Sequence, residues 1–223
     1  MTFFRLYNIP MSSPSLAAAG RPTLDAAKEL AARILEAARL EFLAKGIEGA
    51  SMEGIAAAAG CSKLTLYRRY GSKHELFMTL VKERAPDYAV QFHVDATQPP
   101  ATVLYQLGLV VAGFFFDPEN LRFVRVVVSE MSRVDGLPAL IKEQADRFRE
   151  PVRQCLATLK ANGHGTYDDC TLAAIQFINL CVLGHFYLLA GYTSDQVAVD
   201  EQEKMVRSAV AMFMAGYFPQ NSG

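Results

Sequence analysis

Apolar residues recur along this chain at intervals of three and four positions, with polar residues between them. That spacing is typical of an α-helix with one buried face. The first such stretch runs from 24 to 45 and ends at Gly46, a residue type that commonly stops helices. Its apolar face is formed by Leu30, Ile34, Ala38 and Phe42. Because no segment shows the alternation of a half-buried strand, the pattern predicts an all-α fold.

Serine caps and glycine or proline breakers divide the rest of the chain into further helices. We predict them at residues 51–58, 62–70, 72–97, 101–116, 119–132, 137–161, 168–191 and 196–217. Together with the first helix, this makes about nine helices and no sheet.

Two of these helices are short and closely spaced. Ser51 can cap the first, Gly60 breaks it, and Ser62 can cap the second. A capping box then follows, with Ser72 at the cap and Glu75 three residues later. Two short helices joined by a tight turn are the layout of a helix-turn-helix, whose second helix enters the DNA major groove. The sequence therefore predicts an N-terminal three-helix head that binds double-stranded DNA.

The overall charge excludes a chain built to coat nucleic acid without sequence preference. Charged residues make up 20% of the chain, and the net charge is −1. Basic residues outnumber acidic ones between 21 and 84, whereas acidic residues predominate from 85 onward. A basic N-terminal third on an acidic remainder favours a local DNA-contacting surface, although the asymmetry is weak without the motif.

The cysteines indicate neither a metal site nor a disulfide framework. They are not grouped with one another or with histidines at the spacing that structural zinc requires. They are Cys61, Cys155, Cys170 and Cys181. Free thiols suit a reducing cytoplasm, where we expect the protein to reside, and we predict no cofactor.

Two segments raise the question of targeting and membranes. Residues 1–22 lack a sustained apolar core and are expected to be a flexible lead-in, with translation starting at Met1 or Met11. Residues 172–192 contain no Asp, Glu, Lys or Arg, and this length could span a membrane. The polar residues scattered through them favour a helix that protein buries on every side, so we predict no membrane partner.

Residues 33–77 resemble the DNA-binding head of the TetR/AcrR family of transcriptional regulators. The resemblance rests on Arg33 to Ala38, Phe42, Gly46, Ala50, Ser51, Ile55, Ala56, Ala59, Gly60, Ser62, Lys63, Thr65, Leu66, Tyr67, Tyr70, Ser72, Lys73, Glu75 and Leu76. It implies a helix-turn-helix domain at 23–71 (the head) and a helical ligand-binding and dimerisation domain at 72–223 (the body). The helix that starts at 72 would connect the two.

The candidate DNA contacts separate into two kinds, because phosphates supply affinity and base edges supply sequence choice. The base-edge candidates on the second short helix are Lys63, Leu64, Thr65 and Arg68. Tyr67, by resemblance, and Lys73, at a helix start, are assigned to phosphates. Ser51 and Ser62 are assigned to contacts at the helix caps, although capping alone would also explain them. Tyr67 has the alternative role of a packed surface aromatic.

The resemblance also implies a homodimer formed by the last two helices. One apolar stripe there consists of Val206, Val210, Phe213, Met214 and Tyr217. The stripe fits a partner subunit, and it fits the core of its own subunit as well. The choice between the two rests on the resemblance.

The body is also expected to hold a pocket for an apolar or aromatic small molecule of unknown identity. Its candidate residues are large apolar side chains with a few polar groups among them. They are Tyr105, Phe114, Phe115, Met131, Phe148, Gln176, Phe177, Asn179, Cys181 and His185. A helical body of this size needs as many aromatics for its core alone.

The sequence thus predicts a DNA-binding regulator and not an enzyme, because it contains no catalytic set or phosphate-binding loop. The most specific version is a ligand-responsive repressor that binds a palindromic operator as a dimer. The alternatives are a regulator without a small-molecule ligand and an activator.

Overall fold

The computed structural model describes residues 24–83, 97–182 and 197–218. Over these residues the chain forms nine helices and no strand, which confirms the all-α prediction. The helices are α1 (Leu24–Gly49), α2 (Met52–Ala58), α3 (Lys63–Tyr70), α4 (Lys73–Glu83), α5 (Pro100–Phe115), α6 (Pro118–Glu130), α7 (Leu137–Ala161), α8 (Cys170–Cys181) and α9 (Val199–Tyr217). The predicted lead-in, and the later parts of the helices predicted at 72–97 and 168–191, lie outside the described residues.

The helix boundaries follow from short-range polar contacts. Ser51 accepts a hydrogen bond from the Gly54 amide (3.2 Å), and Ser62 accepts one from the Thr65 amide. The capping box is reciprocal: the Glu75 amide donates to Ser72 Oγ (3.1 Å), while the Ser72 amide donates to Glu75 Oε2 (3.0 Å). These contacts satisfy amides that a helix start leaves without partners and so confirm the predicted caps.

Gly46 breaks α1 as predicted. Its φ of 67° lies in the left-handed region, which a residue without a Cβ enters at little cost. One further turn follows, and the chain then enters α2 at its Ser51 cap. This break allows the short helices to fold back against α1.

The buried apolar residues form two cores. The head core is formed by α1, α2, α3 and α4, and it includes Phe42, Ile55, Leu66 and Phe77, each of them fully buried. It also extends into the body through Phe123, Val127, Val134 and Leu137 of α6, α7 and the turn between them. An ion pair strengthens this junction, because the Arg39 guanidinium of α1 lies 2.6 Å from the carboxylate of Glu119 at the start of α6. The head therefore shares its core with the body.

The body core packs α5, α7, α8 and α9 around one another. Helices α5 and α9 approach each other closely at Gly108, where an added Cβ would lie 2.6 Å from Val206 Cγ1 and 3.3 Å from Cys181 Sγ. The absence of a side chain at this position allows the two helices to pack directly against each other.

The apolar stripe of α9 faces this core. Val206, Val210 and Phe213 are 0%, 7% and 2% exposed, and Met214 and Tyr217 pack against the same cluster. Val206, Val210 and Phe213 are therefore core residues of this subunit, which is the second of the two roles that the spacing allows, and the dimer surface itself stays a prediction. The helical spacing revealed a buried face, and the subunit itself buries it.

Among the described residues, no single helix is both long enough and apolar enough to cross a membrane. Of the helices that the structure describes, α5 and α6 pass that test only when taken together, and the chain bends by 61° between them. Residues 183–192 of the uncharged segment lie outside the described part of the chain.

Candidate nucleic-acid interface

Helix α3 combines a buried anchoring face with an exposed polar one. Leu66 is fully buried and Tyr70 is 9% exposed, and both belong to the head core. On the other side, Leu64 is 70% exposed and Tyr67 is 40% exposed. Lys63, Arg68 and Arg69 are also exposed. A short helix fixed by two core residues, with cations and an aromatic ring facing solvent, has the shape and charge to enter a major groove.

The base-edge candidates therefore lie where the sequence places them, but not all of them are free. The Ser62 hydroxyl caps α3 and also shares a 2.8 Å hydrogen bond with Thr65 Oγ1. Thr65 is half-buried, so its methyl and hydroxyl groups have a restricted orientation. Ser51 and Ser62 do act as helix caps, while their contact with DNA stays a prediction.

Lys63 is held by two neighbours. Its ammonium pairs with the Glu53 carboxylate of α2 and lies 5.7 Å from the centroid of the Tyr67 ring. The hydrogen bond to Glu53 raises the pKa of Lys63, and the same bond lowers the pKa of Glu53. The pairing of Glu53 is not evident from the sequence, because Glu53 lies 10 positions before Lys63.

Glu41 is a second residue that sequence reasoning misses. One of its carboxylate oxygens accepts a hydrogen bond from the Ser51 amide (3.1 Å) and from the Lys45 ammonium (2.7 Å). It therefore links α1 to the start of α2. The i,i+4 spacing to Lys45 is visible in the sequence, but the contact with Ser51 depends on the fold.

Lys73 has a structural role in addition to its predicted one. Its ammonium donates to the carbonyl oxygens of Glu48 (2.9 Å), in the last turn of α1, and Ala50 (3.3 Å), just after that helix. Carbonyl oxygens do not neutralise its charge, so the ammonium still favours an anion near the start of α4.

Replacing Lys73 with alanine is therefore expected to change both stability and DNA binding. Loss of the two hydrogen bonds lowers the free energy of unfolding by about 1 kcal/mol. Loss of the predicted phosphate contact is expected to weaken binding to all sequences about equally and to reduce the salt-dependence slope by about one. Thermal melting and binding titrations at several salt concentrations measure the two effects. K82A is the matched control, because Lys82 lies at the other end of α4. An unchanged salt slope in K73A contradicts the phosphate assignment.

The ligand candidates within the described part of the chain do not all lie in one site. Phe114, Phe115 and Phe148 form an aromatic cluster with ring centroids 5.2–5.3 Å apart. Phe177 and Cys181 are fully buried in the body core. The other described candidates occupy separate places: Met131 packs against the head core, and Gln176 and Asn179 are exposed on α8. His185 lies outside the described residues.

Tyr105 belongs to a different feature, an open groove between α5 and α9. This groove has a volume of about 760 Å³, and Arg207 stacks over the Tyr105 ring at 4.5 Å. It is lined by Ala101, Tyr105, Arg207, Val210, Ala211, Met214, Ala215 and Phe218. Among the described ligand candidates, only Tyr105 lines it.

Two family models match the chain. Residues 34–80 match the model described as bacterial regulatory proteins, tetR family. Residues 102–219 match the model of the AefR-like transcriptional repressor C-terminal domain. The first match covers the helix-turn-helix and its supporting helices, and the second covers most of the body.

The individual proteins found to be similar in sequence are named as HTH-type transcriptional repressors. The chain is 44% identical over 64 residues to the HTH-type transcriptional repressor SCO4008 of Streptomyces coelicolor, a match covering 29% of this chain and 33% of that protein. The matched segments span 33%, 57% and 50% of the lengths of the curated relatives found.

Solved structures match over nearly the whole length. A TetR-family transcriptional regulator from Mesorhizobium loti is 25% identical, with a TM-score of 0.79, covering 88% of this chain and 100% of that one. The flavonoid-responsive regulator FrrA is 23% identical, with a TM-score of 0.72, covering 87% of this chain and 99% of that one. At 23% identity, the similarity to FrrA shows a shared fold only.

Proposed function

Since this chain belongs to the TetR family of transcriptional regulators, we propose that it is a sequence-specific DNA-binding repressor and not an enzyme. The observation that carries the proposal is the exposed face of α3, which is fixed by Leu66 and Tyr70 in the head core and presents cations to solvent. Such a surface binds the phosphate backbone and reads base edges at the same time.

We assign the contacts by position on this surface. Base edges are read from the first turns of α3, by Lys63, Leu64, Thr65 and Arg68. Tyr67 and Lys73 bind phosphates, and Ser51 and Ser62 present helix-start groups to the same backbone. Lysine and arginine pair best with guanine, while threonine and leucine side chains suit a thymine methyl group.

Specific binding by a head of this size requires two copies, so the proposal includes a homodimer on a palindromic operator. Because Val206, Val210 and Phe213 are buried within the subunit, we place the partner on the opposite side of α9. Exposed residues with small or flexible side chains share that side, namely Ser208, Ala211, Met212, Ala215 and Gly216. Met212 is 61% exposed, and a partner would remove this apolar surface from water.

The proposal further includes release by a mainly apolar or aromatic small molecule in the cytoplasm. The aromatic cluster of Phe114, Phe115 and Phe148 supports an effector of this class. The regulator FrrA, which shares the fold, is described as flavonoid-responsive. An effector that prefers one spacing of the two heads shifts the population away from the DNA-binding form.

Selection of full-length protein on a library of random DNA duplexes tests the function. We expect an inverted repeat whose half-sites lie about 34–36 Å apart or a multiple of that.

Replacing Thr65 with alanine is expected to change preference at one or two base pairs of each half-site, each by about 1–3 kcal/mol. Binding titrations on single-base-pair operator variants measure the shift. T102A, at an exposed position on α5, serves as control. Failure to enrich any sequence contradicts specific DNA binding, and an unaltered profile for T65A contradicts only the Thr65 assignment.

A further inference from the structure

A carboxylate stands among the cations of the proposed DNA-binding surface. Glu53 lies in the first turn of α2, two residues after the Ser51 cap, and its side chain is 62% exposed. It pairs with Lys63, the first residue of the recognition helix, whose side chain is 53% exposed. The pair thus joins the two helices of the helix-turn-helix on the solvent side.

The surroundings of Lys63 restrict where its ammonium can go. Glu53 holds it on the α2 side, and the Tyr67 ring lies 5.7 Å away on the same helix. The second Glu53 oxygen lies 3.4 Å from Ser51 Oγ, which connects the carboxylate to the cap of α2. A lysine on its own is flexible and binds any phosphate within reach. While Glu53 holds it, the Lys63 ammonium can reach fewer phosphates of a bound duplex.

This restraint has different consequences for different DNA sequences. Binding to arbitrary DNA depends almost entirely on phosphates, so a lysine that is kept from the backbone lowers that affinity directly. In an operator complex, the Lys63 ammonium can keep its bond to Glu53 with one of its three donors and use the other two for guanine O6 and N7, so the base contact requires no loss of the pair. A contact that disfavours wrong partners more than the right one raises specificity even when it lowers total affinity.

We propose that Glu53 is a specificity-determining residue that acts through Lys63, withholding this lysine from the phosphates of non-operator DNA. The proposal rests on the assignment of α3 as the recognition helix. Glu53 itself is a positioning residue: its carboxylate contacts Lys63 and Ser51, and its effect on DNA passes through the lysine.

The test compares wild-type protein with E53Q, both full length, on an operator obtained by selection and on a scrambled duplex of equal length. E53Q is expected to bind the scrambled duplex about fivefold more tightly, while operator affinity changes less than twofold. The salt-dependence slope for the scrambled duplex increases by about one, because Lys63 adds a phosphate contact. E143Q removes the same charge from an exposed position on α7 and is expected to leave the operator-to-scrambled ratio unchanged.

A second pair of variants shows whether the effect passes through Lys63. In a K63Q background, the E53Q substitution is expected to leave the affinity for scrambled DNA unchanged. If the gain persists in that background, Glu53 acts by general repulsion and the proposal is overturned. An equal gain on both duplexes, or no gain on either, overturns it as well.

Two further measurements separate poor folding of a variant from failure of the Glu53 proposal, and that failure from failure of the proposed function. E53A is the second variant, used if E53Q folds poorly, because alanine also removes the carboxylate and is the best helix-forming residue. The proposal then requires that E53A raises the affinity for the scrambled duplex more than the affinity for the operator. Wild-type protein that selects no operator sequence contradicts the proposed function itself. Wild-type protein that selects an operator, with an unaltered ratio in E53Q, contradicts only the role of Glu53.

Discussion

Replacing Phe77 with alanine is expected to lower the free energy of unfolding by about 3–5 kcal/mol. Phe77 is fully buried at the junction of head and body. Its ring lies 5.4 Å from that of Phe42 on α1, edge to face, and 6.3 Å from that of Phe123 on α6. The substitution leaves a cavity lined by helices of both domains, which rigid helices fill only in part. Denaturant unfolding followed by circular dichroism measures the change.

The matched control is V128A on α6. Val128 is 54% exposed, so its truncation removes little buried surface and should stay within about 0.5 kcal/mol of wild type. F77A should also bind DNA more weakly, since Leu66 and Tyr70, which anchor α3, belong to the same core. A loss of stability below about 1 kcal/mol would mean that the junction tolerates the cavity and does not hold the head in place.

Replacing Gly108 with alanine is expected to destabilise the protein by about 1–3 kcal/mol, although alanine is the better helix former. The new methyl group would stand 2.6 Å from Val206 Cγ1, and valine has little rotamer freedom with which to move away. G113A, on the same helix, separates propensity from packing. Nothing lies within 4 Å of a Cβ built at Gly113, so this variant should gain up to about 1 kcal/mol.

The double variant G108A/V206A identifies the contact responsible. Removing the valine methyl groups makes room for the new alanine, so the two substitutions together should cost less than the sum of their separate effects. Thermal melts of the four proteins complete the cycle. Simple additivity would place the clash elsewhere than at Val206.

The parts of this molecule that sequence predicts well are those governed by neighbours along the chain. Caps such as Ser62 and the pair of Ser72 and Glu75 act within one turn, so their residue types and spacing are sufficient. The two faces of α3 follow in the same way from helical periodicity. Leu66 and Tyr70 are buried, and Leu64 and Arg68 are exposed, as the spacing predicts.

The parts that sequence misses depend on tertiary contacts. The stripe through Val206 and Phe213 indicates a buried face but does not say which surface buries it. The bonds from Lys73 to the carbonyls of Glu48 and Ala50 connect positions 25 and 23 residues apart. The prediction that aromatic residues of the body contact a ligand is also based on residue type alone. One of them, Phe177, is a fully buried core residue.

The core shared by head and body limits how the two can be exchanged between proteins. A chimaera joined between residues 71 and 72 would keep α1, α2 and α3 but replace α4 together with the Phe123 and Val127 surface, both of which pack against α1. It would also separate Arg39 from Glu119. A transplanted head therefore needs the inner face of α6 to come with it. For the same reason, substitutions that alter operator preference from α3 are tolerated more easily than substitutions at this seam, where each residue must suit partners in both domains.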